Sequence, residues 1–180
     1  MPTPTNKNYL QPTSFRMVLP KLPTVEFFCT NVNVPDVSFS EAILATSIGV
    51  NAFFPGDKLS FGELNVSYLV DEDMKNYTEV YNWMKSITPA SSPADFATLT
   101  GTTSNTTNAY TGVGSDLEQY EDIMIVINTN KNNPNKIIHF YDAFPISLGG
   151  FQMQSESTDI GTLTSTIGFR YTYFDIETQT

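Results

Sequence analysis

Apolar and polar positions alternate with a period of two over much of the chain. The clearest case is residues 163–173, where Leu163, Ile167, Phe169, Tyr171 and Tyr173 alternate with Thr164, Thr166, Arg170 and Thr172. That pattern predicts a strand with one apolar face and one polar face. Residues 59–70 predict a second long strand, with Leu64, Val66, Tyr68 and Val70 set against Asn65, Ser67 and Leu69. Residues 122–128 are almost continuous β-formers, as expected of a strand buried on both faces. Residues 136–144 pair back on them across an Asn-rich turn, making a hairpin. Nearer the start, residues 15–19 and 24–34 read as strands, separated by a turn at Lys21 and Leu22 and stopped at Pro35. Residues 36–47 fit either a turn of helix or an edge segment, and residues 48–54 fit a strand. Pro55, Gly56 and Asp57 form a turn signal. Residues 145–150 read as a connection, 151–156 as a shorter strand and 159–161 as a turn.

The period changes once. From Met74, apolar residues recur at helical spacing through Tyr77, Val80, Tyr81, Met84 and Ile87, with Trp83 on the flank. One amphipathic helix is predicted over about 72–88. Asp71, Glu72 and Asp73 complement the positive end of its dipole, Asp71 or Asp73 is placed to cap it, and Pro89 ends it. Residues 89–120 form a Thr/Ser/Asn/Gly tract without a hydrophobic period and read as a long polar loop. Residues 1–13, with Pro2, Pro4 and Pro12, read as a flexible N-terminal arm. The expected fold is mainly β: an antiparallel β-sandwich or rolled barrel over 14–180, a single domain with one helix packed against it.

Composition narrows the functional classes. The 180 residues hold 19 acids against 9 Lys and Arg, a formal charge of −10. Surfaces that grip nucleic acid or anionic lipid neutralise phosphates with Lys and Arg, so this balance argues against one. Thr, Ser and Asn number 23, 15 and 15, while charged residues are 16%. The polar surface is therefore largely neutral, and the excess of Thr and Tyr favours strands. No apolar run reaches the ~20 residues that span a bilayer. The first residues lack a hydrophobic signal core, which argues for folding in a cytoplasm.

Candidate chemistry is sparse. Cys29 is the single cysteine, so an internal disulfide is impossible, and its apolar strand makes a small buried residue the default reading. His139 is the single histidine and sits inside a predicted strand, where a packed or edge histidine is the commoner reading than a catalytic base. Asp71, Glu72 and Asp73 suit a hard cation, but no loop of alternating ligands surrounds them and helix capping explains them more simply. Gly112-Val-Gly is too short for a phosphate loop. No catalytic, cofactor or metal site is expected.

Several segments together resemble the tail tube proteins of contractile-tailed bacteriophages. They are residues 15–19, 25–29, 32–35 and 55–61, the run from Leu64 to Met84, residues 140–149, and the closing 169–176. The most specific of these is the strand-to-helix run from Asn65 to Trp83. The resemblance implies a β-barrel or sandwich subunit with one helix, a structural virion protein rather than an enzyme. It implies hexameric rings stacked into a hollow conduit for genome ejection. The implied partners are further copies of the chain, the tail sheath, baseplate and tape-measure proteins, with double-stranded DNA passing through unbound. The implied location is the virion tail, after assembly in the host cytoplasm.

On that reading Asn65, Ser67, Thr164, Thr166 and Thr172 are the candidates for the inter-subunit sheet or lumen face. Residues 163–173, 123–128 or 59–70 are expected to supply the sheet that continues between copies. The arm and the polar loop are candidates for contacts between rings or with a sheath. A tube-initiating, capping or baseplate hub subunit of the same fold is one alternative. A glycan-binding β-sandwich that uses Trp83 and the tyrosines is another.

Overall fold

A computed structural model describes residues 3, 7–46, 49–87, 120–154 and 161–179. The expected arm is exposed and free of helix and strand where it is described. The expected polar loop, Pro89 and the turn at 159–161 lie almost wholly outside the described residues.

Two antiparallel sheets share one long bent strand. The strands are β1 (Phe15–Val18), β2 (Cys29–Val32), β3 (Val37–Leu44), β4 (Ala52–Phe61), β5 (Leu64–Leu69), β6 (Glu121–Asn128), β7 (Pro134–Leu148), β8 (Thr164–Arg170) and β9 (Tyr173–Thr178). The helices are α1 (Pro23–Phe28) and α2 (Lys75–Ile87). The first half of β7 lies between β6 and β9, and β6 pairs in turn with β1. We call this sheet A. The second half of β7 pairs with β8, β8 with β5, and β5 with β2. We call this sheet B. β3 and β4 form a separate two-stranded ribbon. The expected β-rich antiparallel fold is therefore what the chain adopts.

The core lies between the sheets. Ile123, Ile125, Ile138 and Phe140 from sheet A face Leu64, Val66, Tyr68, Ile167 and Phe169 from sheet B, all buried. Helix α2 closes this space with Val80 and Trp83, and the indole lies 6.1 Å from the Phe169 ring. Burying each such side chain contributes about 1.5–3 kcal/mol. At the entry to α2, Asp71 Oδ1 accepts from the Asn76 N–H at 3.2 Å, so Asp71 caps the helix as expected. Asn76 is fully buried, and its amide donates to the Leu69 carbonyl at 2.8 Å. These bonds tie the end of β5 to the start of α2.

Several local expectations are corrected. Residues 24–34 are not one strand, because 23–28 form α1. Pro23 occupies the first turn, where its missing N–H costs nothing. Leu22 and Val25 reach the core together, and the Glu26 carboxylate accepts from Arg16 and from the Leu19 N–H. Local helix geometry there outweighs a run of β-formers. Residues 59–70 split at Gly62, whose N–H bonds to the Asp36 carbonyl at 2.8 Å, so β4 leaves for the ribbon while β5 joins sheet B.

Pro55, Gly56 and Asp57 are not a turn but a bulge within β4, where the register slips from Phe39–Leu59 to Glu41–Pro55. A side chain at Gly56 would meet Ser40 within 2.2–2.9 Å, which is why glycine sits there. Residues 145–150 do not connect two strands until Leu148, because β7 runs that far. Residues 151–154 form no strand. β6 is buried on one face only, with Met124 and Val126 half-exposed on the other. Residues 163–173 break at Tyr171 and Thr172 into β8 and β9.

Candidate assembly surfaces

The outer face of sheet B is polar. Ser67 and Thr166 stand opposite each other in register, their hydroxyl oxygens 3.2 Å apart. Asn65 and Thr164 flank them on the same face, both exposed. Thr172 is not with them. It lies at the corner between β8 and β9, where its N–H donates to the Tyr141 carbonyl at 3.0 Å. Four of the five expected residues thus share one surface.

Three further residues belong to that surface. Glu63 lies across Gly168: an added Cβ at 168 would come within 1.8 Å of the Glu63 carboxylate and 2.4 Å of Ser147 Oγ. Ser147 donates to Glu63 at 3.4 Å. Arg170 also projects here, and its guanidinium donates to the Phe61 carbonyl at 3.4 Å. The Asn33 side-chain amide donates to the Glu63 carbonyl, while its oxygen accepts from the Asn65 N–H. Arg170 was legible from the period-two pattern. Glu63 and Ser147 were not, because they reach this face only through the chain's path around Gly168.

Of the segments expected to continue between copies, β5, β6 and β8 are interior, while residues 59–61 belong to the ribbon strand β4 and Tyr173 begins the margin strand β9. β5 lies between β2 and β8, β8 between β5 and β7, and β6 between β1 and β7. Their backbone groups already have partners on both sides. Among the described residues, the margins of sheet B are β2 and residues 144–148 of β7. Those of sheet A are β1 and β9. An open cleft of about 590 Å³ lies between β1, α1 and β2, lined by Phe15, Met17, Phe27 and Cys29 among others.

The β3–β4 ribbon exposes apolar side chains on both faces. Ile43 pairs with Phe53 on one face, and Ala42 with Phe54 on the other. Phe53 is 62% exposed and Phe54 53%. The ribbon is fixed at its base, where the Phe61 ring lies 5.5 Å from Phe174 and 6.1 Å from Tyr171.

The other candidate residues have structural places. Cys29 is half-buried at the β2 margin, and desolvation pushes its thiol above the usual range. His139 is half-buried on the outer face of sheet A. Trp83 is buried in the core, so it cannot serve as the sugar platform of the glycan-binding alternative. Among the described residues, no three of His, Cys, Asp and Glu lie close enough to hold a metal ion, and no helix is long and apolar enough to cross a membrane.

Comparisons with known proteins agree with this architecture. A family model described as phage tail tube protein matches residues 5–177. No curated protein matches the sequence. The fold resembles the anti-feeding prophage tube terminating cap, with 16% identity, a TM-score of 0.62, and 99% of this chain and 97% of that one covered. It also resembles a chain of the PVC sheath–tube complex of an extracellular contractile injection system, in its extended state. There the identity is 15%, the TM-score 0.61 and the coverage 96% and 94%. A chain of the sheath/tube terminator assembly of that system scores 0.59 at 16% identity, with 96% and 99% covered.

Proposed function

The chain belongs to the phage tail tube protein family as a structural tail tube subunit, and on that premise we propose that its copies close into a ring through the two margins of sheet B. The supporting observation is strand direction. Running from residues 144–148 of β7 through β8 and β5 to β2, every pairing is antiparallel. Four alternating strands end with opposite senses. Rotation about an axis along the strands brings residues 144–148 of one copy beside β2 of the next in antiparallel register. Every copy then uses both margins, and the sheet closes on itself without an edge. The ring is hexameric, formed by the single domain at 14–180.

The same rotation turns every polar face the same way, toward the bore. The lining is Asn65, Ser67, Thr164 and Thr166, with the Glu63 carboxylate among them. Duplex DNA carries one charge per ~1.7 Å, and binding it depends on Lys and Arg releasing its counterions. The exposed hydroxyls and amides offer no such exchange, and the positive charge of Arg170 is matched on this face by the Glu63 carboxylate. DNA therefore slides past such a wall. The apolar ribbon β3–β4 is covered by a neighbouring copy, because both of its faces are unsuited to water. Sheath and baseplate proteins adjoin the tube outside and at its end, the tape-measure protein lies within, and assembly takes place in the host cytoplasm. The chain performs no catalysis in this role.

Negative-stain microscopy of the purified chain tests the proposal. Stacked rings or tubes are expected. Single rings that do not stack would place the chain at a capping or initiating position. A solitary subunit at high concentration would overturn the ring.

A further inference from the structure

Strand β9 is the last of the chain, forms a margin of sheet A and pairs only with β7. A strand hydrogen-bonded on one side opens before the interior of its sheet does. The chain has a single cysteine, Cys29, so no disulfide within one copy can fasten it. A different pair of side chains joins the two strands. Tyr141 of β7 and Tyr173 of β9 stand in register on the outward side of sheet A. Their rings stack at 21° with centroids 4.5 Å apart, and His139 stacks on Tyr141 from along β7 at 6.0 Å. Tyr173 is 42% exposed and Tyr141 half-buried. The chain has nine tyrosines, and among the described residues these are the only two whose rings meet each other. Asp175 stands opposite His139, and Glu177 opposite Ile137. Loss of water around Tyr141, then the neighbouring Tyr173, Asp175, Glu177 and Asp122, raise its phenol above the ordinary range. Near neutral pH the phenol therefore keeps its proton, with carboxylates close by to receive it.

We propose that Tyr141 and Tyr173 are an oxidative cross-linking site, where a one-electron oxidant joins the two rings through a carbon–carbon bond and staples β9 to β7. Two equivalents of the oxidant each take one electron, and each phenol gives up its O–H proton to water or a neighbouring carboxylate. The two phenoxyl radicals couple at the ring carbons beside the oxygens. Each coupled carbon then loses its hydrogen as a proton while its oxygen regains one, which restores both phenols. The net change is the loss of two electrons and two protons. In-register side chains leave neighbouring strands on the same face, so the second ring is already in place when the first is oxidised. The new bond is not opened by thiols, unlike a disulfide. One copy supplies both rings, on the face away from the polar side of sheet B, so the site is independent of the ring reading.

The probe is a brief flash of light on the full chain with a ruthenium tris-bipyridyl complex and persulfate. The readouts are the fluorescence of the joined phenols, mass spectrometry of the digest and a denaturing gel. One cross-link between positions 141 and 173 is expected, in chains that still run as single copies. Tyr141→Phe and Tyr173→Phe each keep a stacked ring, and each should lower the yield at least ~tenfold, as should urea acting on the unaltered chain. Tyr9→Phe with Tyr81→Phe removes two exposed tyrosines whose rings meet no other tyrosine among the described residues, and should change the yield less than about twofold. Closing the loop between the two positions should raise the thermal midpoint of the cross-linked fraction by roughly 10 °C. Equal loss in the control variant, an undiminished yield in urea, or cross-linked chains that run as dimers would overturn the proposal. A midpoint that moves less than about 2 °C would overturn the staple.

Discussion

Replacing Thr166 with lysine should turn an inert bore into one that holds DNA. Thr166 lies in the middle of the polar face, exposed, opposite Ser67 and one strand from Ser147. In a hexameric ring the substitution sets an ammonium at one height on every copy. If each reaches a phosphate, binding of duplex DNA releases counterions with a salt slope near −0.9 per contact, so the full ring gives about −5. Between 50 and 200 mM salt the affinity should then fall by roughly a thousandfold. The assay is anisotropy of a short labelled duplex mixed with assembled rings across a salt series. The unaltered protein should show no binding above background. Thr172→Lys is the matched control, because Thr172 lies at the β8–β9 corner, off that face. Equal DNA binding and equal salt slopes for the two variants would refute the assignment of sheet B to the bore, since a general gain of positive charge would then explain both.

Two other outcomes follow from local chemistry. Asn76→Ala removes a buried amide and leaves the Leu69 carbonyl and the Tyr77 N–H without their partner, at a cost of about 2–4 kcal/mol. For a chain of this size, thermal unfolding by circular dichroism should fall by about 5–10 °C, and a change under about 2 °C would deny the amide its bridging role. Desolvation holds the Cys29 thiol above its ordinary pKa, so less thiolate is present at pH 8 than in an unfolded chain. Alkylation by iodoacetamide should therefore be slower in the folded protein than in urea and should quicken as pH rises toward the thiol's own pKa. Equal rates at pH 8 would contradict the shift.

The amphipathic helix, the strands β5 and β8, and the β6–β7 hairpin were legible because each carries its own period. The shared face of Asn65, Ser67, Thr164 and Thr166 followed from the same alternation, since register in a sheet preserves parity. What could not be read was which strands end a sheet. The longest and most β-rich segments drew attention as continuing strands, yet a strand of that kind gains most where both sides are hydrogen-bonded and its inward face is covered. β5 and β8 accordingly lie inside, and Ile167 and Val66 face the core from them. The margins of sheet B are modest: a four-residue β2 with Thr30 and Asn31 exposed, and the end of β7 that holds Pro145. Proline and short polar strands are the devices by which sheet edges avoid indiscriminate pairing. On the proposed ring reading, a subunit that must remain unpaired until it meets the right neighbour needs weak-looking edges, and the least conspicuous strands would then carry the signal for assembly.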